Sequence, residues 1–210
     1  LSTFPEAVPA SGKVDSFQFP TRVAPERREG WVERAIAVAG VLGTDLIRVF
    51  SHLRVVEGLT ESFLHDPLLS HALKRAEHAG VRLLLENEPV CTIAYPSPLL
   101  EVLRAHEGLG LWLDLGNLHE VGHGTADAVE ALAPFAEYVH VKDYGLGEDG
   151  WKHFVAAGSG SVPYEELLPV LHRARPVLPY ALETHVRVSP VDALAQGAAY
   201  LRRTVPGGLA

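Results

Sequence analysis

Four ionisable residues end four successive apolar segments of this sequence, and their types are those of metal ligands and acid–base catalysts. The segments read LLLENEP, LWLDLGN, VHVKD and ALETH, and the four residues are Glu86, Asp114, His140 and Glu183. Three carboxylates gathered in one place would repel each other strongly in a site of low dielectric constant. A divalent cation removes that repulsion, and several oxygen ligands with one nitrogen ligand suit Mn²⁺, Mg²⁺, Co²⁺ or Zn²⁺. The sequence therefore predicts one divalent metal ion bound by these four residues.

Three further polar residues lie close to these positions. Side chains on a strand alternate between its two faces, so Lys142 shares a face with His140, and His185 shares a face with Glu183. His52 follows the apolar segment TDLIRVF in the same way. We expect all three to contact the substrate, with Lys142 neutralising an oxyanion or a carboxylate.

The elements that must position these residues are short apolar strands alternating with amphipathic helices. Strands are predicted to start near residues 45, 81, 110, 138 and 180, and helices are predicted over 25–40, 67–80, 98–108, 125–137, 163–174 and 190–203. A repeat of about 30 residues is the length of one strand with its crossover helix. The strands are almost continuously apolar, which indicates a parallel sheet covered on both faces. A long glycine-rich loop is predicted between residues 143 and 162.

This alternation fits either a doubly wound open sheet or a closed (β/α)8 barrel. No strand is followed by a GxGxxG or GxxxxGK[ST] motif, which removes support for a nucleotide-binding open sheet. The ends of successive strands instead carry the ionisable residues, and in a (β/α)8 barrel these ends form the mouth of the active site. We therefore predict a single α/β barrel domain over residues 1–210.

The amino-acid composition indicates which kinds of binding partner and which cellular compartment suit this chain. The net charge is −8, from 18 basic and 26 acidic residues, which argues against a nucleic-acid-binding surface. Cys91 is the single cysteine, so no disulfide forms within the chain. No segment has the pattern of a signal peptide or of a membrane-spanning helix. We expect a cytoplasmic protein that binds a small molecule rather than a membrane or nucleic acid.

The segments ENEP, DLGN, HVKD and ETH, in this order and spacing, resemble the xylose-isomerase-like barrel family of sugar isomerases and epimerases, which also includes abasic-site DNA endonucleases. The segment GSGSVPYEELLPVL adds to this resemblance, which covers residues 25–205. It implies that Glu86, Asp114, His140 and Glu183 hold the metal. It also implies that Glu86 and Glu183 flank the sugar as the catalytic pair, and that the protein forms a homodimer or homotetramer.

The resemblance further implies that the four ligands stand on strands five to eight of the barrel. TDLIRVF would then be the fourth strand, residues 1–4 would end the third, and the first two strand–helix units would be lacking in this chain.

The sequence departs from the family pattern at two positions. Glu88 stands where the family often has a histidine after its first ligand, and Asn117 stands where it has a second substrate-binding histidine. His153 lies in the long loop where relatives place an arginine or histidine against the substrate. We expect these three residues to contact the substrate.

Together these features predict a metal-dependent aldose–ketose isomerase or ketose 3-epimerase that transfers a proton through an enediolate. Two alternatives remain. One is a non-catalytic sugar-binding or regulatory barrel, and the other, less favoured by the net charge, is an abasic-site DNA endonuclease.

Overall fold

The structure is a computed structural model that describes residues 25–52 and 63–205. The strand end expected at residues 1–4 lies outside these ranges. Among the described residues, no helix combines the length and the apolar character that crossing a membrane requires.

Short strands and helices alternate along the described chain, as the apolar pattern predicted. The strands are β1 (Leu46–Val49), β2 (Arg82–Glu86), β3 (Leu109–Asp114), β4 (Ala136–Val141), β5 (Asp143–Leu146), β6 (Lys152–Val155) and β7 (Tyr180–Leu182). The helices are α1 (Pro25–Leu42), α2 (Pro67–His78), α3 (Pro96–Ala105), α4 (Leu115–Glu120), α5 (Ala126–Leu132), α6 (Tyr164–Ala174) and α7 (Pro190–Thr204).

The chain divides into two compact units, Leu1–Trp112 and Leu113–Ala210, with the boundary inside β3. In the first unit, β1, β2 and β3 are parallel neighbours. Strand β2 is buried from Leu83 onward, as expected for a parallel strand covered on both faces. Glu86 is the last residue of β2, at the carboxyl end of the strand, and it pairs with Trp112 of β3.

In the second unit, the end of β3 is followed by the parallel strands β4 and β7. Val141 pairs with Leu182, and the backbone N–H of Glu183 donates to the Val141 carbonyl over 3.0 Å. His140 pairs with Ala181, so side-chain alternation puts His140 and Glu183 on the same face of the sheet. Helix α6 supplies buried leucines to the core of this unit: Leu167, Leu168 and Leu171.

The structure differs from the sequence prediction in the long loop and around β4. The predicted glycine-rich loop contains an antiparallel hairpin of β5 and β6, with four residues in each strand. Helix α5 ends at Leu132 instead of near residue 137, because Pro134 lacks a backbone N–H and the chain forms a 3-10 turn over Ala133–Phe135. Helix α4 is in a segment for which no helix was predicted, and it begins directly after Asp114.

Candidate metal centre

An acidic and histidine cluster forms at the carboxyl ends of the strands of the second unit. Asp114, His140 and Glu183 each offer one ligand atom, and these atoms lie within 4.8 Å of one another. His140 Nδ1 is 3.9 Å from Asp114 Oδ2 and 3.7 Å from Glu183 Oε2. The cluster is a group of side chains that could hold a metal ion.

The two distances from His140 fit the binding of one divalent cation. Metal bonds to histidine nitrogen and carboxylate oxygen are about 2.0–2.2 Å long, so two ligands of one ion lie at most about 4.4 Å apart. Both distances from His140 Nδ1 fall inside that limit. Oxygen and imidazole donors suit the hard and borderline metals predicted from the sequence.

The start of helix α4 orients the carboxylate of Asp114. This side chain is fully buried, and its Oδ1 accepts the backbone N–H of Asn117 over 2.8 Å, which caps the helix. The other oxygen, Oδ2, faces His140 and Lys142. A carboxylate fixed by a backbone donor in this way presents one defined oxygen to a cation.

Lys142 lies within the cluster. Its Nζ is 3.1 Å from Asp114 Oδ2 and 3.4 Å from Glu183 Oε2, and the residue is 8% exposed. A buried ammonium needs such partners, because an uncompensated charge away from water is costly. In this structure Lys142 therefore neutralises two of the candidate ligands.

In the first unit, Glu86 is held by a residue that the sequence analysis missed. Glu86 is buried at the end of β2, and Arg48 Nη1 donates to its Oε2 over 2.8 Å. The Arg48 guanidinium carbon lies 5.0 Å from the ring centroid of Phe50 and 5.5 Å from that of Trp112. Arg48 thus balances the negative charge of the Glu86 carboxylate and orients it. The signal in the sequence is an arginine inside the apolar strand LIRVF, where a charge needs a buried partner.

His52 is buried in the first unit, where Asp66 orients it. His52 Nε2 lies 3.1 Å from Asp66 Oδ2, and because a carboxylate only accepts, Nε2 carries the proton. The other ring nitrogen, Nδ1, is buried and has no hydrogen-bond partner among the described residues. The predicted contact of His52 with a substrate hydroxyl stays a prediction.

We expect the Asp66→Asn variant to be less stable than the wild type, with a difference that depends on pH. Burial raises the pKa of Asp66, but hydrogen bonds from His52 and the Leu68 N–H, with the nearby Arg28 charge, outweigh it and lower the pKa overall. A depressed carboxyl pKa adds stability that is complete above about pH 4 and is lost as the pH falls through the folded-state value.

At pH 7 the variant should lose about 1 kcal/mol of unfolding free energy. Urea unfolding at pH 7 and at pH 3 measures this difference, which should shrink at the lower pH. The exposed Asp192, changed to Asn, is the matched control. An equal difference at both pH values would contradict the assigned role of the Asp66 charge.

Two other predicted substrate contacts lie beside the ligands of the second unit. Asn117 is 1% exposed, and its Nδ2 has no hydrogen-bond partner among the described residues. His185 Nε2 is 3.4 Å from Glu183 Oε2, and its ring packs on Phe154 with the ring centroids 4.5 Å apart. Both positions allow the predicted substrate contact, which no observation tests.

The remaining two predicted contacts are placed differently. Glu88 is half-buried in the turn after β2, where its backbone N–H donates to the Glu86 carbonyl. His153 is exposed in the hairpin, and its Nε2 lies 3.0 Å from Asp149 Oδ1. His153 therefore pairs within the hairpin, and its contact with the substrate stays a prediction.

Asp143 is a second residue whose importance the sequence analysis missed. It is 1% exposed, and its two carboxylate oxygens accept four backbone N–H groups over 2.9–3.2 Å, from Tyr144, Gly158, Gly160 and Val162. Asp143 thus fixes the segment between β6 and α6 to the start of β5. The signal was the acidic residue directly after HVK, followed 15 to 17 residues later by the glycines of GSG.

Comparison with known proteins gives one family match. The model of the family described as "Xylose isomerase-like TIM barrel" matches residues 14–204, which is most of the chain. A sequence search of curated proteins finds no significant match.

Solved structures with the same fold are numerous, and three serve as examples. The probable 3-DHS dehydratase AsbF of Bacillus anthracis superposes with a TM-score of 0.74 at 16% identity, covering 89% of this chain and 74% of that protein. The IolI protein with a bound zinc atom gives 0.75 at 15% identity, covering 92% and 75%. A D-tagatose 3-epimerase-like protein gives 0.69 at 22% identity, covering 89% and 76%. These likenesses and the family match show the TIM-barrel fold that the sequence predicted.

Proposed function

The chain belongs to the xylose isomerase-like TIM barrel family, and on that premise we propose that it is a metal-dependent isomerase or epimerase. Its substrate would be a small keto or aldo sugar, or a related hydroxy-carbonyl compound. The observation that carries the proposal is the cluster of two carboxylates and one imidazole, Asp114, His140 and Glu183, at the carboxyl ends of parallel strands. In a barrel, that end of the strands forms the catalytic face.

The proposed ligand set is completed by Glu86, the buried carboxylate that ends β2. A bound divalent ion would hold the carbonyl and a neighbouring hydroxyl of the sugar and would stabilise the negative charge that develops there.

Two carboxylates of the chain would move the proton. One of the pair Glu86 and Glu183 removes a proton from the carbon next to the carbonyl, and the other returns one. The carboxylate of Glu183 is 29% exposed, so a ligand can reach it, whereas Glu86 is oriented by Arg48. Lys142, His52 and Asn117 would contact hydroxyl or carboxylate oxygens of the substrate. The surroundings of Asn117 support this role, because its buried Nδ2 needs an acceptor.

The similar structures support metal chemistry but not one reaction. One neighbour holds zinc, one is epimerase-like, and one is a probable dehydratase. Epimerisation and the loss of water next to a carbonyl both begin with removal of a proton from carbon. The paired carboxylates therefore support this first step, and the structure of the substrate decides which product forms.

We also propose that the partner is a small molecule and not nucleic acid, on the basis of the net charge of −8. The cytoplasmic location, the homodimer or homotetramer, and the contacts of His185, Glu88 and His153 with the substrate stay predictions.

The test is metal content followed by proton exchange. The purified chain is stripped with a chelator, reloaded with Mn²⁺ or Zn²⁺, and its bound metal is counted by mass spectrometry. The loaded protein is then incubated in D₂O with a panel of ketoses and hydroxypyruvate, and exchange of the proton next to the carbonyl is followed by NMR.

We expect one divalent ion per chain, and exchange that requires the ion. Exchange without net conversion would still support the proposed proton transfer. About three zinc ions per chain would favour the abasic-site endonuclease instead. Metal binding without exchange on any substrate would favour the non-catalytic sugar-binding barrel.

A further inference from the structure

Lys142 places its ammonium at the two carboxylate oxygens that the proposed metal would need. Its Nζ lies 3.1 Å from Asp114 Oδ2 and 3.4 Å from Glu183 Oε2. These oxygens are also the ones that face His140 Nδ1. In this structure a monovalent cation of the chain therefore neutralises the same ligand atoms.

We propose that Lys142 is the resident cation of the metal-free site, and that metal binding displaces its ammonium from Asp114 and Glu183 toward the substrate. This inference rests on the proposed function. Without a counter-charge, the two carboxylates around His140 would repel one another in a site of low dielectric constant. A divalent ion on the same oxygens repels the ammonium, so both cations cannot keep these contacts.

The stem of the Lys142 side chain passes close to Gly116, which lies on the helix that Asp114 caps. A Cβ on Gly116 would come within 2.8 Å of Lys142 Cγ and 2.6 Å of the Lys142 carbonyl oxygen. Glycine at position 116 is thus what allows the lysine stem to pass.

The backbone of Lys142 is held from the other side. Tyr164 donates its hydroxyl to the Lys142 carbonyl over 2.6 Å. Burial, with the charges of Asp114 and Asp143, raises the pKa of Tyr164 well above its ordinary value, so the phenol keeps this proton. Because the backbone of Lys142 is held, its ammonium can leave the two carboxylates and still stay within the length of one side chain from the site.

This arrangement gives Lys142 two successive roles. In the metal-free protein it stabilises the cluster, and in the metal-bound protein it becomes a donor for a substrate oxygen. Metal uptake would then prepare the substrate site, because it delivers the ammonium that a sugar oxyanion or carboxylate needs.

The test compares Lys142→Gln with the wild type in two measurements that need no substrate. Mn²⁺ affinity is measured by titration calorimetry, and thermal unfolding is measured with and without Mn²⁺. We expect the variant to bind Mn²⁺ at least tenfold more tightly, because no ammonium competes for Asp114 and Glu183. We also expect its metal-free form to melt at a lower temperature than the wild type, so that the rise in melting temperature on adding Mn²⁺ is larger.

Two further variants distinguish the effect of the lost charge in Lys142→Gln from the effects of disturbed packing or of a change in net charge. Lys74→Gln removes the same charge from an exposed position on α2 and should change neither measurement. Gly116→Ala keeps the charge but adds a Cβ against the Lys142 stem and carbonyl, so it should destabilise the metal-free protein and shows the cost of disturbed packing alone.

The outcomes separate this inference from the proposed function. Tighter binding in Lys142→Gln, including binding that is seen only in the variant, supports it. Equal or weaker binding in Lys142→Gln, with wild-type binding intact, overturns the inference and leaves the metal site standing. Absence of Mn²⁺ binding in both proteins removes the proposed function and this inference together.

Discussion

Glu183→Gln is expected to lower the rate of proton exchange on the substrate by at least about 10³-fold while leaving the fold intact. Removing a positioned general base costs about 10²–10⁴ in rate, and Glu183 is also a proposed metal ligand. Glutamine keeps the shape of the side chain but removes the charge that faces His140 Nδ1 at 3.7 Å and Lys142 Nζ at 3.4 Å. The effect should appear in kcat more than in KM, because the lost proton transfer belongs to the transition state.

Substitution of Glu183 tests the catalytic role more directly than substitution of Glu86 does. The Glu86 carboxylate is buried and bonded to Arg48, so an amide there would leave the guanidinium without its charged partner. A loss of activity in Glu86→Gln would then mix lost catalysis with lost stability. The Glu183 side chain is 29% exposed, and water can take over what the amide does not satisfy.

Circular dichroism and metal counting should accompany the rate measurement on Glu183→Gln. We expect an unchanged spectrum and a bound-metal content below that of the wild type. Glu130→Gln, at an exposed position on α5, is the matched control and should behave as the wild type does. A Glu183→Gln protein that exchanges the substrate proton within tenfold of the wild-type rate would falsify the assignment of Glu183 to the catalytic pair.

The sequence was sufficient to predict the strands of the parallel sheet, because each of them is a nearly continuous apolar segment bounded by helix signals. The strands predicted to start near residues 81 and 110 are β2 and β3, which begin at Arg82 and Leu109. The hairpin of β5 and β6 could not be predicted in this way. KHFV is short and its burial is incomplete, and glycines surround both strands, so no apolar period of two marks them.

The candidate ligands could be chosen from the sequence because each stands at a strand end, but the side chains that support them could not. The contact of Arg48 with Glu86 depends on register and rotamer, and both are set by tertiary packing. The position of Lys142 depends on the space left by Gly116, a residue that reads as an ordinary turn glycine in the sequence. The alternation of side chains along a strand predicts the face on which each side chain lies, but the atoms that it contacts are known only from the structure.

Asp143→Ala is expected to have the largest effect on stability, about 3–5 kcal/mol of unfolding free energy. The substitution removes the acceptors of four backbone N–H groups, from Tyr144, Gly158, Gly160 and Val162. An unsatisfied buried donor costs about 1–3 kcal/mol, and part of this is recovered when water enters or the segment shifts. Most domains have only about 5–15 kcal/mol of total stability, so such a loss brings the chain close to unfolding.

Urea unfolding measures this loss as a lower midpoint with an unchanged slope. Asp127→Ala, at an exposed position in the first turn of α5, is the control and should cost no more than about 1 kcal/mol. If Asp143→Ala proves too unstable to purify, Gly160→Ala tests the same contact, because a Cβ at position 160 would meet the Asp143 carboxylate and the Tyr144 carbonyl. Midpoints equal to that of the wild type in both variants would contradict the anchoring role.

Substitution of Asp143 should also change metal binding at the candidate metal centre. Asp143 fixes the backbone directly after Lys142, and the segment that it anchors leads into α6, whose Tyr164 holds the Lys142 carbonyl. Loosening the segment frees both restraints on Lys142. A partly stable variant such as Asp143→Asn should therefore bind Mn²⁺ with altered affinity even where it is still folded. The four backbone bonds of Asp143 thus link the stability of the second unit to the charge balance around Asp114, His140 and Glu183.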